Sequence, residues 1–178
     1  MSTITVKELA APTGYDLKIA SGETLDLKSQ GTVTMPTGSV LSVTVVEDAT
    51  AQSTSSTSYV DTGLTVTITP KSTSSKFYCQ WTMQGQFENG NDGIGVRLER
   101  AISGGATTNA FTSTQPYHLY TANTAHAFRL MGSWHHLDSP ATASAITYTV
   151  QVATTAASAV GLNDANNQTH LVVTEVQG

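Results

Sequence analysis

Apolar residues recur with an eight-residue period in the first part of the chain. Four consecutive segments, beginning at Gly14, each place apolar residues at their fourth and sixth positions: Leu17/Ile19, Leu25/Leu27, Val33/Met35 and Leu41/Val43. Two apolar residues separated by one other residue follow the two-residue period of a short strand, and Gly, Ser and Pro between the pairs are typical of turns. The pattern therefore predicts four short strands.

The period alone leaves open what covers these strands. Repeats of fixed length usually bury an apolar face only by stacking on a neighbour. The neighbours are either other copies, in a β-stem or docking arm over residues 1–46, or strands of the same chain, in an ordinary meander within one sandwich. For the stem, we expect the subunit-packing residues to be Leu17, Ile19, Leu25, Leu27, Val33 and Met35.

Strict alternation of apolar and polar residues begins after a polar stretch rich in Ser and Thr. Residues 47–54 have no apolar period and are predicted to form a hinge. Further on, the heaviest alternating stripe predicts a central strand, and its apolar members are Phe77, Cys79, Trp81 and Met83. Lighter stripes of the same period predict strands around residues 64–68, 94–98, 128–134, 146–152 and 170–176.

Many short strands with almost no helical period predict an all-β fold. We expect a β-sandwich or jelly-roll knob over residues 55–178, with the short-strand repeat as an amino-terminal stem or docking arm. Within the knob, residues 103–123 are predicted as a long loop holding at most one short strand, because Gly, Pro and Thr interrupt the alternation there. A long loop of this kind commonly carries contacts.

Charge and hydropathy exclude two classes of partner. Only 12% of the residues are charged, and the formal net charge is −5. A surface that binds nucleic acid needs clustered Lys and Arg, so we expect no nucleic acid partner. The chain has no apolar run long enough to span a bilayer and no signal-peptide pattern, so we expect no membrane insertion.

The side chains that could support catalysis do not form a familiar site. Cys79 lies in the inward stripe, which predicts a buried, unreactive thiol. His135 and His136 are neighbours on a predicted strand and point to opposite faces, so one chain cannot bring both to one metal ion, although one of them repeated around a threefold axis could meet its copies. The chain also has no nucleotide-binding or hydrolase fingerprint, so we expect no catalytic residue, no metal and no cofactor.

The best candidates for binding a partner or receptor are the aromatic residues of the long loop. Tyr117, His118 and Tyr120 lie within four positions of one another. Aromatic rings stack on sugar faces or on protein partners with little loss of side-chain entropy. The alternative is that this loop packs on its own domain or on a neighbouring subunit.

Three segments of the knob resemble a β-domain that recurs in virion proteins of tailed phages. The first runs from Ser56 through Leu64 to TVTITPKSTSSKF, the second is LDSPATASAITYTVQV at residues 137–152, and the third is the final strand at residues 170–176. Together they span most of residues 55–176. The segment STITVKELAAPTGYDLKIASGETLDL near the amino end resembles the repetitive opening segments of phage fibre proteins.

This resemblance implies a non-enzymatic protein of the virion surface, commonly a homotrimer. The implied roles are capsid decoration or cement protein, head fibre or tail-fibre head. The implied partners are further copies of the chain, the major capsid protein or tail and fibre proteins, and a host surface glycan or receptor. Because the chain has no large amino-terminal attachment domain, we expect a short capsid-bound knob at least as much as a fibre joined to a tail baseplate.

Overall fold

The computed structural model describes residues 13, 20–22, 35–87, 92–112, 118–122, 128–155, 159–162 and 169–178. The backbone divides into two compact units, Met1–Thr34 and Met35–Gly178. Nearly all described residues belong to the second unit. Five of the predicted stem residues, Leu17, Ile19, Leu25, Leu27 and Val33, lie outside the described residues, so their packing role stays a prediction.

The described residues form eleven strands and no helix. No helix able to span a membrane occurs in this part of the chain. The strands are β1 (Val40–Asp48), β2 (Gln52–Thr54), β3 (Val60–Ile68), β4 (Lys76–Phe87), β5 (Asp92–Ile102), β6 (Thr107–Thr112), β7 (Leu119–Thr121), β8 (Phe128–Asp138), β9 (Ile146–Thr154), β10 (Val160–Leu162) and β11 (Thr169–Val176).

The strands form two antiparallel sheets. In the first, here called sheet A, β8, β4, β11 and β1 lie side by side, and β10 and β2 extend the sheet beyond the end of β11. In the second, sheet B, the order is β3, β9, β5 and β6, and β7 pairs with the start of β5. Each sheet is therefore about four strands wide.

The pairing of the longer strands is nested along the chain. The first pairs with the last, β1 with β11, and the pairs β3 with β9, β4 with β8 and β5 with β6 follow inward. Successive pairs alternate between the two sheets, as in a long hairpin rolled across a sandwich. Two four-stranded sheets connected in this way form a jelly roll. The predicted all-β jelly-roll sandwich is thus confirmed.

Alternating side chains from both sheets fill one core. On β4 the predicted stripe of Phe77, Cys79, Trp81 and Met83 is at most 1% exposed, which confirms it as the heaviest part of the core. On sheet B the inward side chains are mostly β-branched and aliphatic, a composition that suits a pleated surface. The aliphatic ones are Leu64, Val66, Ile68, Ile94, Val96, Leu98, Ile146, Val150 and Val152, and Tyr148 is the aromatic exception.

One buried polar group connects the two sheets. Asp138, at the end of β8 in sheet A, accepts hydrogen bonds at 2.7 Å from Arg100 of β5 and at 2.7 Å from the hydroxyl of Tyr148 of β9. Both donors belong to sheet B. Burial raises the pKa of the Tyr148 hydroxyl, and nearby Cys79 and Asp138 add to that rise, so the phenol stays protonated and donates. These bonds fix the spacing of the sheets at this end of the core.

The sandwich begins earlier than the sequence pattern predicts. Residues 40–46, expected to end the stem, form most of β1 and pair with β11 in sheet A. Val46 packs against the core, which anchors this strand. The residues expected as a hinge, 47–54, include the end of β1 and all of β2. Gln52 there donates to a carboxylate oxygen of Asp48 and to the backbone oxygen of Thr62, so polar side chains rather than apolar ones hold this edge.

The predicted long loop also contains more strand than expected. The described parts of residues 103–123 include β6, which pairs with β5 from Arg97 to Ala101, and β7. The hairpin between β5 and β6 turns at Gly104, whose φ of 71° suits glycine. Strand β6 lies at the edge of sheet B and is mostly exposed, so it needs no apolar stripe. That is why its sequence, TTNAFT, gave no strand signal.

Candidate interaction surfaces

His118 occupies a gap in the hydrogen bonding of sheet B. Strand β7 pairs with the start of β5 and β6 pairs with its second half, and among the described residues no strand pairs with the middle of β5 on that side. The backbone N–H of His118 donates to the oxygen of Ile94 at 3.0 Å, and the N–H of Val96 donates to His118 Nδ1 at 2.9 Å. The imidazole thus replaces a strand carbonyl as acceptor.

The same geometry determines the protonation of His118. Because Nδ1 accepts a hydrogen bond, the ring is neutral and its proton is on Nε2. Partial burial lowers the pKa of His118, which acts in the same direction. His118 therefore completes the backbone hydrogen bonding of β5, a structural role that the sequence alone did not predict.

Several rings pack where the edges of the two sheets approach each other, between β6 and β8. Phe111 of β6 is at the centre, with ring centroids 5.5 Å from Trp81, 5.9 Å from His118 and 6.0 Å from His136. Trp134 of β8 stacks on Trp81 at 6.3 Å. We call these five residues the aromatic cluster. They seal this end of the core.

Gly132 gives the aromatic cluster room. A Cβ atom at this position would lie 2.1 Å from the ring of Trp134, which folds back along its own strand. Such an approach is sterically forbidden. The glycine is therefore needed for the position of the Trp134 ring, and through it for the contact with Trp81.

The candidate binding residues of the loop do not form one patch of described side chains. Tyr117 lies outside the described residues. His118 belongs to the aromatic cluster, whereas Tyr120 is 46% exposed on β7. Leu119 packs on the core, so its strand neighbour Tyr120 points to the outside of sheet B. A binding role for Tyr117, His118 and Tyr120 stays a prediction, and of the two described residues Tyr120 is the more exposed.

The cysteine and the histidine pair lie where alternation predicts. Cys79 is fully buried, and burial raises the pKa of its thiol, with the negative charge of Asp138 adding to the rise. His135 lies exposed with its ring centroid 6.1 Å from Tyr78, while His136 faces inward in the aromatic cluster, so the two rings are on opposite faces of β8. Among the described residues, no group of three or more His, Cys, Asp or Glu side chains could hold a metal ion.

Large exposed apolar side chains are concentrated on sheet A. Of the eight in the described part of the chain, Met35 precedes β1 and Tyr120 is on β7, while the other six lie on strands of sheet A. These six are Val40, Val43, Val45, Tyr78, Met131 and Leu137. The sequence indicates one strand of this surface, because the final strand carries apolar residues on both faces, with Val172 and Val176 on the outward one. The outward valines of β1, in VLSVTVVED, were not predicted as part of it.

Comparisons with known proteins add a distant likeness of fold. No protein-family model matches the chain, and no curated protein matches it in sequence. Among solved structures, the VP2 subviral particle of infectious bursal disease virus is similar over 94% of this chain and 46% of its own, with 11% identity and a TM-score of 0.43. A D431N mutant of VP2, in T=1 particles of the same virus, is similar over 86% of this chain and 40% of its own, with 8% identity and a TM-score of 0.38.

This chain thus spans less than half the length of either neighbour.

Proposed function

We propose that this protein is a non-enzymatic structural component of a phage virion. In this proposal it is made in the host cytoplasm, assembles as a homotrimer, and is displayed on the particle surface as a capsid decoration or cement protein or as a short fibre head. The sequence resemblance to tailed-phage virion domains suggests this class. The jelly-roll sandwich is compatible with it, because the same architecture builds many viral capsid domains.

The observation that supports assembly best is the contrast between a filled core and apolar side chains left outside it. The two sheets already bury their inner faces against each other, yet six large apolar side chains lie exposed on sheet A. Removing apolar surface from water stabilises an assembly by about 25 cal/mol per Å². Repetition of one contact by symmetry multiplies this gain. Such a protein works by binding and needs no catalytic group.

The proposed partners follow from this role. Copies of the chain would form the trimer, and the trimer would contact the major capsid protein or a tail or fibre protein. On a capsid, a threefold knob bridging neighbouring subunits would resist internal pressure. On a fibre, the same knob would present three identical loop surfaces to a host glycan or receptor, and the three contacts together would bind more tightly than one.

Two measurements test this proposal. Native mass spectrometry of the purified full-length protein should give the mass of three chains, and the trimer should persist on dilution. Immunogold electron microscopy with an antibody against the chain should label intact virus particles. A stable monomer contradicts the trimer. If the particles stay unlabelled and the protein is found only in the unassembled fraction of the same preparation, the virion location is contradicted.

The second candidate function is recognition of a cell-surface glycan, and the exposure of Tyr120 favours it. Glycan-array binding by the wild-type protein that disappears in Tyr117→Ala and Tyr120→Ala would support this function. Tyr59→Ala is a suitable control, because this half-buried ring packs with its centroid 4.3 Å from the Arg97 guanidinium, apart from β7. Binding to empty capsids without binding to any glycan would favour the decoration role.

A further inference from the structure

The outward side chains of sheet A form two continuous rows across four strands. One row is Val43, Thr174, Tyr78 and Leu137, in the order β1, β11, β4 and β8. The next row, in the same order, is Val45, Val172, Gln80 and His135. We call these eight residues the valine face. Because the rows follow from backbone register, they do not depend on the rotamer of any one side chain.

The valine face has an uncharged centre and a charged rim. None of its eight residues is Lys, Arg, Asp or Glu. Charged side chains occur just beyond it: Glu47 next to His170 along one side, with 3.5 Å between Oε1 and Nδ1, and Lys76 along the other. Depletion of charge at the centre with a polar rim is the arrangement found in protein interfaces, and exposed tyrosine at the centre is typical of them.

The dimensions of this surface fit a specific contact. The four strands lie about 4.8 Å apart, and the valine face together with the rim row on either side of it spans roughly 19 Å by 25 Å. Two or three such surfaces, rim included, remove roughly 950–1,400 Å² from water when they meet, against the roughly 1,000 Å² that a specific interface requires. The exposed Val40, in the row next to Val43, extends the apolar area at one end.

The chemistry of the face favours another copy of this chain as the occupant. Each chain has a net charge of −5, so two copies approach most easily through a surface without charge. The rim carries both signs, with Lys76 and Glu47 on opposite sides, so symmetry-related copies do not meet uniform repulsion.

We propose that the valine face is where copies of this chain meet. The proposal rests on the oligomer proposed above and names the surface that forms it. In the trimer, the valine faces of the three copies meet around the symmetry axis, and Val43, Val45 and Tyr78 are removed from water by other residues of the valine faces of neighbouring copies. Sheet A is then buried on both of its faces, and only sheet B keeps a face in solvent.

The test replaces two valines at the edge of sheet A and, as a matched control, two threonines at the edge of sheet B. Val43→Lys with Val45→Lys places two ammonium groups in the centre of the proposed contact. Thr65→Lys with Thr67→Lys makes the same charge change on exposed positions of β3. Sedimentation of the full-length proteins over a dilution series gives the dissociation constant, and circular dichroism checks that each variant is folded.

We expect the double valine variant to stay folded and its dissociation constant to rise by at least about 100-fold. The threonine variant should associate like the wild type. If the wild type is an oligomer and both variants remain equally oligomeric, the valine face is not the interface, although the oligomer itself stands. If the wild type is a monomer at every concentration, the proposed oligomer fails, and with it this interface.

Thiol labelling distinguishes a second copy from another part of the same chain. Val45→Cys should react slowly with a maleimide in the oligomer and faster on dilution, whereas Thr67→Cys should react fast throughout. The native Cys79 is buried and does not interfere. Slow labelling of Val45→Cys in a monomer would mean that residues 1–34 of the same chain cover the face, and this result would overturn the proposal.

Discussion

The two outer faces of the sandwich have the same strand alternation but opposite chemistry. On sheet B, threonines pair across strands, with 2.8 Å between the hydroxyl oxygens of Thr67 and Thr147. Beside them, Gln151 donates to Asp61 at 2.6 Å and accepts from Arg97. On sheet A, the outward positions include the exposed apolar side chains of Val43, Val45, Tyr78 and Leu137.

This difference separates a face that is complete in one chain from a face that is not. The outward side chains of sheet B satisfy one another, and water satisfies their remaining hydrogen-bonding groups. The apolar side chains of the valine face gain free energy only when something removes them from water. Alternation of apolar and polar residues specifies the inside of a sandwich, while the chemistry of the outward residues indicates which sheet binds a partner.

The largest expected loss of stability comes from removing the polar contact between the two sheets. Asp138→Ala leaves the Arg100 guanidinium, itself only 19% exposed, without its carboxylate. An unpaired buried charge is costly, and we expect a loss of about 3 kcal/mol in the free energy of unfolding, measured with urea. Tyr148→Phe removes one bond and keeps the ion pair, so it should cost only about 1 kcal/mol. Equal losses in the two variants would contradict this account of the sheet contact.

A smaller effect is expected from the polar network on the face of sheet B. Gln151 is 7% exposed and bonds both Asp61 and Arg97, so Gln151→Ala leaves the partly buried Arg97 and the exposed Asp61 with one partner fewer each. We expect a loss of about 1–2 kcal/mol in the free energy of unfolding and no change in oligomer mass. A change in association here would mean that sheet B also contacts a partner, and it would remove the contrast between the faces.

The sequence predicted the inside of this sandwich better than its outside. Stripes such as Phe77 to Met83 are visible because each inward residue is apolar and each outward neighbour is polar. Strand β1 lacks that contrast, since Val43 and Val45 are as apolar as the inward Val46, and the eight-residue period assigned its first half to a stem. Pairing with β11, more than a hundred residues away, is a long-range contact that local pattern does not contain.

Among the candidate residues, too, the positions that follow from local strand geometry were predicted, and the role that depends on a distant contact was not. Alternation predicted that Cys79 is buried and that His135 and His136 face opposite ways, because both depend only on strand geometry. The role of His118 depends on a gap between two edge strands and on the backbone N–H of Val96. No spacing within the sequence reveals such a contact.

The free energy of unfolding is expected to depend on pH through His118, which accepts the backbone hydrogen bond of Val96 in sheet B. The pKa of His118 is lowered in the folded protein by burial, so the unfolded chain binds a proton more readily. The stabilising contribution is therefore complete above the ordinary histidine pKa of about 6.5 and decreases as the pH falls below it towards the folded value. Urea unfolding between neutral and mildly acidic pH should show this decrease, and His118→Gln should reduce it. An identical pH slope in the variant would mean that other groups cause it.

The smallest effect is expected when the face of sheet B is made to resemble that of sheet A. Thr67→Val with Thr147→Val replaces both hydroxyls of one cross-strand pair by methyl groups of similar shape, so no donor or acceptor is left alone. We expect the free energy of unfolding to change by no more than about 0.5 kcal/mol, because valine suits an exposed strand position as well as threonine does. Two added methyl groups remain far smaller than the eight-residue valine face, so the oligomer mass should also stay the same. If this variant instead formed larger assemblies, a few apolar side chains on any sheet would be enough for association, and the selectivity assigned to sheet A would be lost.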